Sequence, residues 1–238
     1  MINPNISVDC VVFGFDGQSL NVLLIEQKDV GQLRRFALPG DHLEEDENLD
    51  QAAARVLKEL TSLSGLYLKQ SGAFGDPNRV KNIKDLPWLQ SNRSDPQARV
   101  ITIAYYALVK MEDFNPSASS FAARVFWHDI NSIPELAFDH SVIVSETLEI
   151  LRERARQQPI GFELLPKEFT LGEMQALYEA ILNEKFDKAN FRKRILSMGL
   201  LKDTQRMQTD VPHRPARLYM FDKDAYESLL KKGFNFEL

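Results

Sequence analysis

Apolar residues in the first two thirds of the chain occur in short strand-like runs and in stretches with helical spacing. Residues 6–13 and 20–25 are rich in apolar and β-branched side chains and flank Asp16-Gly17, a pattern that predicts an antiparallel hairpin. Residues 50–63 predict a helix, because their apolar side chains recur every three or four positions. These positions are Ala53, Val56, Leu57, Leu60 and Leu63.

Further strands and a second helix follow. Residues 99–109 carry Val, Ile, Thr and Tyr throughout and predict a strand, and residues 125–128 predict a shorter one. Residues 80–98 are polar and irregular, apart from Leu86-Pro87-Trp88-Leu89. Residues 140–157 predict a helix whose candidate core positions are Val142, Ile143, Leu148 and Leu151. The alternation of strands and helices predicts a mixed α/β sandwich domain over residues 1–157.

A second, smaller domain is predicted after an interruption. Two prolines and a glycine in residues 158–168 predict a linker. Thr170 and Glu173 have the spacing of a capping box that starts a helix. Asp187 caps the next helix and Gly199 stops it. The apolar stripes of the two helices are Leu171, Met174, Leu177, Tyr178, Ile181 and Leu182, then Phe191, Ile195 and Met198.

A hairpin completes this second domain. Leu200 starts a strand, residues 202–215 form a basic polar loop, and residues 217–221 alternate as the returning strand. A short helix is predicted over residues 223–232. A helix, a basic helix and a hairpin in this order predict a small winged helix-turn-helix domain over residues 169–238.

Composition and charge narrow the function. The chain has 44% hydrophobic and 26% charged residues, as globular proteins do. It has no apolar run of membrane-spanning length, no signal-peptide pattern and one cysteine, Cys10, so we expect a cytoplasmic protein. The net charge is −5, yet residues 185–217 hold nine Lys and Arg against three Asp and Glu. Such a local excess of cations favours contact with nucleic acid.

Residues 36–63 resemble a Nudix box, whose family pattern is G-x5-E-x7-R-E-U-x-E-E-x-G-U with U apolar. Gly40 and Glu47 fit the first two positions, with one extra residue between them. Arg55 fits the arginine, and Glu59 fits one of the three catalytic glutamates. The resemblance implies a Nudix-like fold for the first domain.

The same box lacks most of its catalytic groups. Val56 and Leu60 stand at the other two glutamate positions, and Ser62 stands at the glycine. In active members these carboxylates hold divalent cations against a pyrophosphate, and hard cations need oxygen ligands. The resemblance therefore implies a scaffold without catalytic residues and without a metal.

Several further segments resemble the Nudix-related transcriptional regulators, an NrtR-like family that includes repressors of NAD metabolism and regulators of sugar catabolism. The segments that resemble this family are residues 74–79, 99–108, 161–171, 187–195 and 214–219. The resemblance covers nearly the whole chain and implies a Nudix-like sensor domain followed by a winged helix that binds DNA. The stretch between Arg79 and Asp95 departs from the family, which keeps it short, and we predict an inserted surface loop there.

Seven residues of the first domain are candidate effector contacts: Phe36, Arg55, Glu59, Phe74, Asp76, Arg79 and Arg99. Arginine binds phosphate or carboxylate in a bidentate manner, and polar groups of this kind orient a ligand in a pocket. Simpler alternatives remain open: a surface ion pair between Arg55 and Glu59, and a plain turn at Asp76. His42 and His128 have no partner at metal-ligand spacing, so no metal site is expected.

Seven residues of the second domain are candidate DNA contacts: Lys188, Asn190, Arg192, Lys193, Arg194, Arg214 and Arg217. The alternative is an exposed, solvated face. In a recognition helix, Asn190 can pair with adenine, and Arg192 or Arg194 with guanine. Arg214 and Arg217 lie at the wing, where an arginine can enter a minor groove. So small a module predicts a homodimer on a palindromic operator.

We therefore predict a ligand-responsive transcriptional regulator, not an enzyme, with no cofactor and no membrane contact. Its partners are operator DNA, a second copy of the chain, and an effector that is a sugar, a sugar phosphate or an ADP-ribose-like compound; carbohydrate metabolism is slightly favoured over NAD metabolism. The alternative is a Mg²⁺-dependent pyrophosphohydrolase of a nucleoside diphosphate derivative, with Glu59 and the acids of residues 44–47 as ligands. A protein-interaction module is a third option, and it predicts weak, salt-insensitive affinity for nucleic acid.

Overall fold

The computed structural model of the protein describes residues 3–27, 35–92, 95–209, 211–212, 214–232 and 236. The chain divides into two compact units. The first comprises the residues up to Gly14 together with Leu20–Glu149, and the second comprises Phe15–Ser19 together with the residues from Ile150 onwards. In the part of the chain that the structure describes, no helix is long and apolar enough to cross a membrane.

The first unit is built on a sheet of seven strands among the described residues. The strand order is β3-β2-β1-β6-β5, with β4 paired to β1 and β7 paired to β2. The tip of the β1–β2 hairpin is held by Asp16, whose side chain accepts from the backbone of Gln18 and Ser19. The strands are β1 Asn3–Phe15, β2 Leu20–Gln27, β3 Phe36–Ala37, β4 Gly40–Leu43, β5 Lys69–Phe74, β6 Ile101–Lys110 and β7 Ala122–Asp129.

Helices cover both faces of this sheet. Helix α1, Leu49–Thr61, begins at a capping box formed by Asn48 and packs its apolar stripe on the face of β1 that carries Val8 and Cys10. A short helix, α2, spans Leu86–Asn92, and α3 spans His140–Gln157. Helix α3 lies on the opposite face, where the Thr147 hydroxyl donates to Ser71 of β5 at 3.1 Å. The predicted mixed α/β sandwich is therefore confirmed.

Two sequence-based expectations for this unit are wrong. Residues 80–98 are not only an irregular surface loop, because a 3-10 turn at Ile83–Asp85 leads into α2, which buries Trp88 and Leu89. In α3, Val142 is 49% exposed, and Val144 occupies a core position instead. The helix therefore presents a slightly rotated apolar face to the sheet.

The second unit has the arrangement of a winged helix. It contains β8 Phe169–Thr170, α4 Leu171–Leu182, α5 Lys188–Ser197, β9 Leu201–Met207, β10 Arg217–Phe221 and α6 Lys223–Lys231. The sheet order is β8-β10-β9, all antiparallel. The capping box of Thr170 with Glu173 and the cap of Asp187 are both present, as predicted. The predicted winged helix-turn-helix is confirmed.

Two details of this unit differ from expectation. The segment predicted as a loop from residue 202 is a strand as far as Met207, because β9 pairs with β10 across its length. The predicted linker also contributes packed residues: the ring of Phe162 stacks on Phe221 at 4.2 Å, and Leu164 and Leu165 are buried.

Candidate effector site and nucleic-acid interface

Arg55 lies at the centre of an ion-pair network on the outer face of α1. Its guanidinium donates to both carboxylate oxygens of Glu47 at 2.9 and 2.6 Å, to Glu59 at 3.1 Å and to the carbonyl of His42 at 2.9 Å. The hydrogen bonds between Arg55 and Glu47 raise the pKa of the arginine and lower that of the glutamate. Arg55 therefore holds the acidic loop before α1 against the helix, and its donors are already in use.

The opposite, buried side of α1 carries the residues that stand at two glutamate positions of the Nudix pattern. Val56 and Leu60 are 0% and 1% exposed and belong to the same apolar core as β1. A cation bound there would lie in an apolar interior without oxygen ligands, which is strongly unfavourable. Within the described ranges, no group of three or more His, Cys, Asp or Glu residues is arranged to hold a metal ion. These residues do not fit the divalent cations of active Nudix enzymes.

A cavity of about 490 Å³ borders the outer face of α1 and the segment that follows it. This volume lies in the range of small-molecule sites, about 300–1,000 Å³. Charged side chains of the helix and apolar side chains of the segment form the wall together. The lining residues are Ala54, Arg55, Leu57, Lys58, Glu59, Leu63, Ser64, Gly65, Leu66 and Leu68. Two predicted effector contacts, Arg55 and Glu59, are thus brought to one cavity.

Three other predicted contacts surround the turn after β5. Asp76 is exposed, and its carboxylate accepts from the backbone N–H of Asn78 at 2.6 Å, so it forms the plain turn considered above. Arg99 is exposed and donates to the carbonyl of Gly75 at 2.9 Å, which ties β6 to this turn. Phe74 is half-buried at the end of β5.

Arg79, at the end of this turn, is buried rather than open to solvent. Its guanidinium donates to the two oxygens of Asp139 at 2.9 Å each and to Asp9 at 3.4 Å. Its side chain is 3% exposed. Burial opposes the charged form, but the hydrogen bonds to Asp139 and the charge of Asp9 hold the pKa of Arg79 above its usual value. Both carboxylates therefore belong to a buried ionic cluster.

His140 completes this cluster, which was not predicted from the sequence. Its Nδ1 accepts from the backbone N–H of Leu38 at 2.9 Å, and its Nε2 lies 3.4 Å from Asp9. Burial lowers the pKa of His140, so the neutral ring donates from Nε2. Gly40 approaches so closely that a Cβ there would meet the Asp9 carboxylate at 1.9 Å. The signal in the sequence was Asp9 itself, an acid within an otherwise apolar strand.

A second buried ion pair anchors the insertion. The guanidinium of Arg35 donates to Asp85 at 2.9 Å, and both side chains are buried. The other oxygen of Asp85 accepts from the backbone N–H of Phe138 at 2.8 Å. The insertion is therefore an integral part of the first unit.

The predicted effector contacts do not form one site. Phe36 packs edge-on against Phe126, with ring centroids 5.5 Å apart. Among the described residues, no hydrogen bond, ion pair or ring contact joins Phe36 to Arg55 or to Phe74. The structure places the seven residues in three places, and their assignment as effector contacts stays a prediction.

Helix α5 presents a basic surface. Its apolar residues Phe191 and Ile195 are buried, so the remaining positions face solvent. Lys188, Arg192 and Lys193 are exposed, and their side chains make no ion pair within the part of the chain that the structure describes. Asn190 and Arg194 are exposed on the same helix. Unpaired cations on a helix are available to phosphates or base edges.

Several cations of the wing, in contrast, form ion pairs within the domain. Arg217 on β10 donates to Asp203 on β9 at 2.6 Å, and Lys202 pairs with Asp222 at 2.9 Å. Arg206 forms an ion pair with Glu168. Arg214 is exposed beside Pro215. Most of the charge of the wing is therefore balanced within the domain.

Profiles of known protein families match the two domains of the chain separately. The NUDIX domain profile matches residues 3–146, and the profile of the NrtR DNA-binding winged helix domain matches residues 161–221. The first match covers more than half of the chain, which therefore belongs to the NUDIX domain family. The two domains in this order define a Nudix-related transcriptional regulator, as the sequence motifs predicted.

Individual relatives point to one kind of regulator. The chain is 29% identical over 229 residues to the "ADPR responsive transcriptional repressor NtrR" of Acinetobacter baylyi. The aligned region covers 94% of this chain and 85% of that protein. It is 28% identical over 145 residues to an ADP-ribose pyrophosphatase of Methanocaldococcus jannaschii, over 61% of this chain and 73% of that protein.

The fold is similar to that of Shewanella oneidensis NrtR. The crystal structure of that protein with a 27mer DNA matches with a TM-score of 0.67 and 27% identity over 97% of both chains. A cocrystal structure of its NUDIX domain with ADP ribose matches with a TM-score of 0.51 and 26% identity, over 62% of this chain and 88% of that one. The likeness thus extends over both domains.

Proposed function

We propose that the chain is a transcriptional repressor that binds operator DNA through α5 and responds to ADP-ribose or a closely related sugar phosphate. The observation that carries the DNA part is the set of exposed cations on α5 that have no ion-pair partner among the described residues: Lys188, Arg192 and Lys193. Similarity to an ADPR-responsive repressor and to a DNA-bound NrtR supports the same conclusion.

On operator DNA, residues near the start of α5 read bases and the other cations hold phosphates. The proposed contacts are Lys188, Asn190, Arg192, Lys193, Arg194, Arg214 and Arg217. Because the module is small, we propose a homodimer on a palindromic operator, whose symmetry matches that of the protein.

The first domain acts in this proposal as a sensor without hydrolysis. Val56 and Leu60, which stand at two catalytic glutamate positions of the Nudix pattern, belong to its apolar core. ADP-ribose replaces an unspecified sugar as the favoured effector, because the similar repressor and the similar NUDIX domain are both described with ADP-ribose. This choice moves the expected pathway from carbohydrate towards NAD metabolism.

We further propose the domain limits suggested by the sequence: a sensor over residues 1–157, a linker over 158–168 and a DNA-binding domain over 169–238. The NUDIX profile match ends at 146, inside the proposed sensor, and the winged-helix match begins at 161, inside the proposed linker. Limited proteolysis followed by mass spectrometry tests them through the positions of the first cuts.

The competing function is a Mg²⁺-dependent pyrophosphohydrolase. Similarity to an ADP-ribose pyrophosphatase favours it, and Glu59 remains exposed on α1. It predicts Mg²⁺-dependent release of AMP from ADP-ribose that disappears in Glu59→Gln. The repressor proposal predicts no such turnover in either protein.

The direct test uses Arg192→Ala combined with Arg194→Ala. The expected result is a loss of operator affinity by fluorescence anisotropy, with an unchanged thermal unfolding curve. Unchanged affinity would refute α5 as the recognition helix. Addition of ADP-ribose to the wild-type complex should weaken operator binding, since a repressor responds only if the ligand has different affinities for the two states.

A further inference from the structure

The segment of residues 135–140, here called the junction, immediately precedes and begins α3. Its first half is tied to β3 and to the insertion. Glu135 accepts from Lys84 at 2.8 Å, and the backbone N–H of Ala137 donates to the carbonyl of Phe36 at 2.7 Å. The junction thus touches one predicted effector contact directly.

The second half of the junction is tied to a predicted effector contact by charge. Asp139 binds the guanidinium of Arg79 through both oxygens at 2.9 Å, and its carbonyl accepts from the N–H groups of Val142 and Ile143 in the first turn of α3. One residue therefore joins the turn after β5 to the start of the helix.

Arg79 uses the paired edge of its guanidinium, Nε and Nη2, to hold Asp139. A planar guanidinium binds a phosphate with the same paired geometry that it uses for a carboxylate. The side chain of Arg79 is 3% exposed and that of Asp139 is 16% exposed, so Asp139 is the member of the pair that reaches solvent. A phosphate that reaches this edge of Arg79 must compete with Asp139.

We propose that a phosphate group of the effector and the carboxylate of Asp139 compete for Arg79, and that release of Asp139 changes the start of α3. This inference rests on the proposed function, because it needs an effector that carries phosphate. Helix α3 continues without a break to Gln157, beyond the point at which the second unit begins. A change at its first turn is therefore a change in a helix whose residues belong to both units.

The competition predicts that loss of the Asp139 charge increases effector affinity, whereas a purely structural role of Asp139 does not. In Asp139→Asn the negative charge that competes with the effector is removed, so ADP-ribose should bind about tenfold more tightly, within the usual range of coupling between sites. Operator binding without effector should weaken by about the same factor, because the junction is already released. A residue that only supports the fold would leave effector affinity unchanged or weaken it.

The experiment measures the dissociation constant of ADP-ribose by titration calorimetry and that of the operator by fluorescence anisotropy, on full-length protein. Asp129→Asn is the matched control, since Asp129 also directly precedes a helical segment, the 3-10 turn at Ile130–Ser132, but lies outside the junction. The control should behave as wild type. Tighter ADP-ribose binding in Asp139→Asn supports the proposal, and unchanged or weaker binding refutes it.

A measurement on the wild type covers the case in which Asp139→Asn fails to fold. Saturating ADP-ribose should accelerate amide hydrogen exchange of Val142 and Ile143, whose N–H groups donate to the main-chain carbonyl of Asp139 in the first turn of α3. Unchanged exchange at saturation refutes the proposal while leaving the repressor function in place. Failure of ADP-ribose to bind wild-type protein would instead refute the proposed effector, and this inference with it.

Discussion

Helices α1 and α5 both carry basic side chains on an exposed face, but they use them differently. On α1, Arg55 is bound by Glu47, Glu59 and the carbonyl of His42. On α5, Lys188 and Arg192 have no ion-pair partner among the described residues. A basic helix is therefore a binding surface only where the fold leaves its charges unbalanced.

The buried faces of the two helices differ as well. In α1, Val56 and Leu60 belong to the apolar core of the first unit. In α5 two apolar residues, Phe191 and Ile195, suffice to fix the helix in its small domain. The first helix thus contributes many residues to a core, whereas most positions of the second are exposed.

The largest expected effect tests the scaffold role of α1. Leu60→Glu restores a family carboxylate, but at a position that is 1% exposed. We expect the free energy of unfolding to fall by about 3–5 kcal/mol, because a buried unpaired charge is that costly. Urea unfolding measures the loss. Ala54→Glu, on the exposed face of the same helix, is the control and should change stability little.

A near-wild-type unfolding curve for Leu60→Glu, together with Mg²⁺-dependent hydrolysis of ADP-ribose, would contradict this account of α1. It would mean that the helix can still turn a catalytic face towards a substrate.

The next effect tests the surface role of α5. Arg192→Ala with Lys193→Ala should weaken operator binding by about 10–100-fold. The number of counterions released on binding, measured from the salt dependence of affinity, should fall by about one for each phosphate that the variant no longer neutralises. Anisotropy titrations at several salt concentrations measure both quantities.

Arg217→Ala sharpens the same comparison, because the guanidinium of Arg217 is already paired with Asp203. We expect a loss of only about threefold, since a paired cation offers less net charge to phosphate. An equal or larger loss than in the α5 variant would show that the wing dominates the contact.

A smaller effect concerns the turn that positions α5. Burial raises the pKa of Glu179, but hydrogen bonds from Lys185, Gln175 and the backbone of Phe186 outweigh it and lower the pKa to about 2. A lowered folded-state pKa means that the stabilisation is present above pH 4.5 and is lost as the pH falls towards 2.

Solvent screening reduces the free energy involved to about 1 kcal/mol. Glu179→Gln should remove that part of the acid dependence, and urea unfolding of both proteins between pH 6 and pH 2.5 checks it. A wild-type stability that stays constant over this window would contradict the role of Glu179.

The smallest effect is expected for Glu59→Gln. Glu59 is exposed and pairs with Arg55 four positions before it, an interaction typically worth a few tenths of a kcal/mol. Urea unfolding and operator affinity should therefore both stay close to wild type. A loss above about 1 kcal/mol would show that Glu59 supports more than a surface pair.

The sequence predicted the elements whose signals are local. The apolar stripe of α1 and the capping box of α4 were predicted correctly because each depends on residues three or four positions apart. Strands β5 and β8 were missed: β5 has the sequence KQSGAF without apolar alternation, and β8 is only two residues long. Pairing with β6 and β10, rather than composition, makes them strands.

The candidate site was predicted less well, because its contacts are distant in the sequence. Arg79 was predicted to contact a ligand, but its bond to Asp139 crosses 60 positions and could not be inferred from either segment. The same is true of Arg35 and Asp85, 50 positions apart. The basic residues of α5 were predicted correctly as exposed, since the helical period alone separates them from Phe191 and Ile195.

The most direct test of the central claim is selection of operator DNA. Purified protein is mixed with sheared genomic DNA from its own source at physiological salt, and the bound fragments are sequenced beside those bound by Arg192→Ala with Lys193→Ala. We expect the wild type to enrich one palindromic site strongly and to release it on addition of ADP-ribose, and we expect no such enrichment by the variant. Uniform recovery of fragments, equal for both proteins, would contradict the central claim.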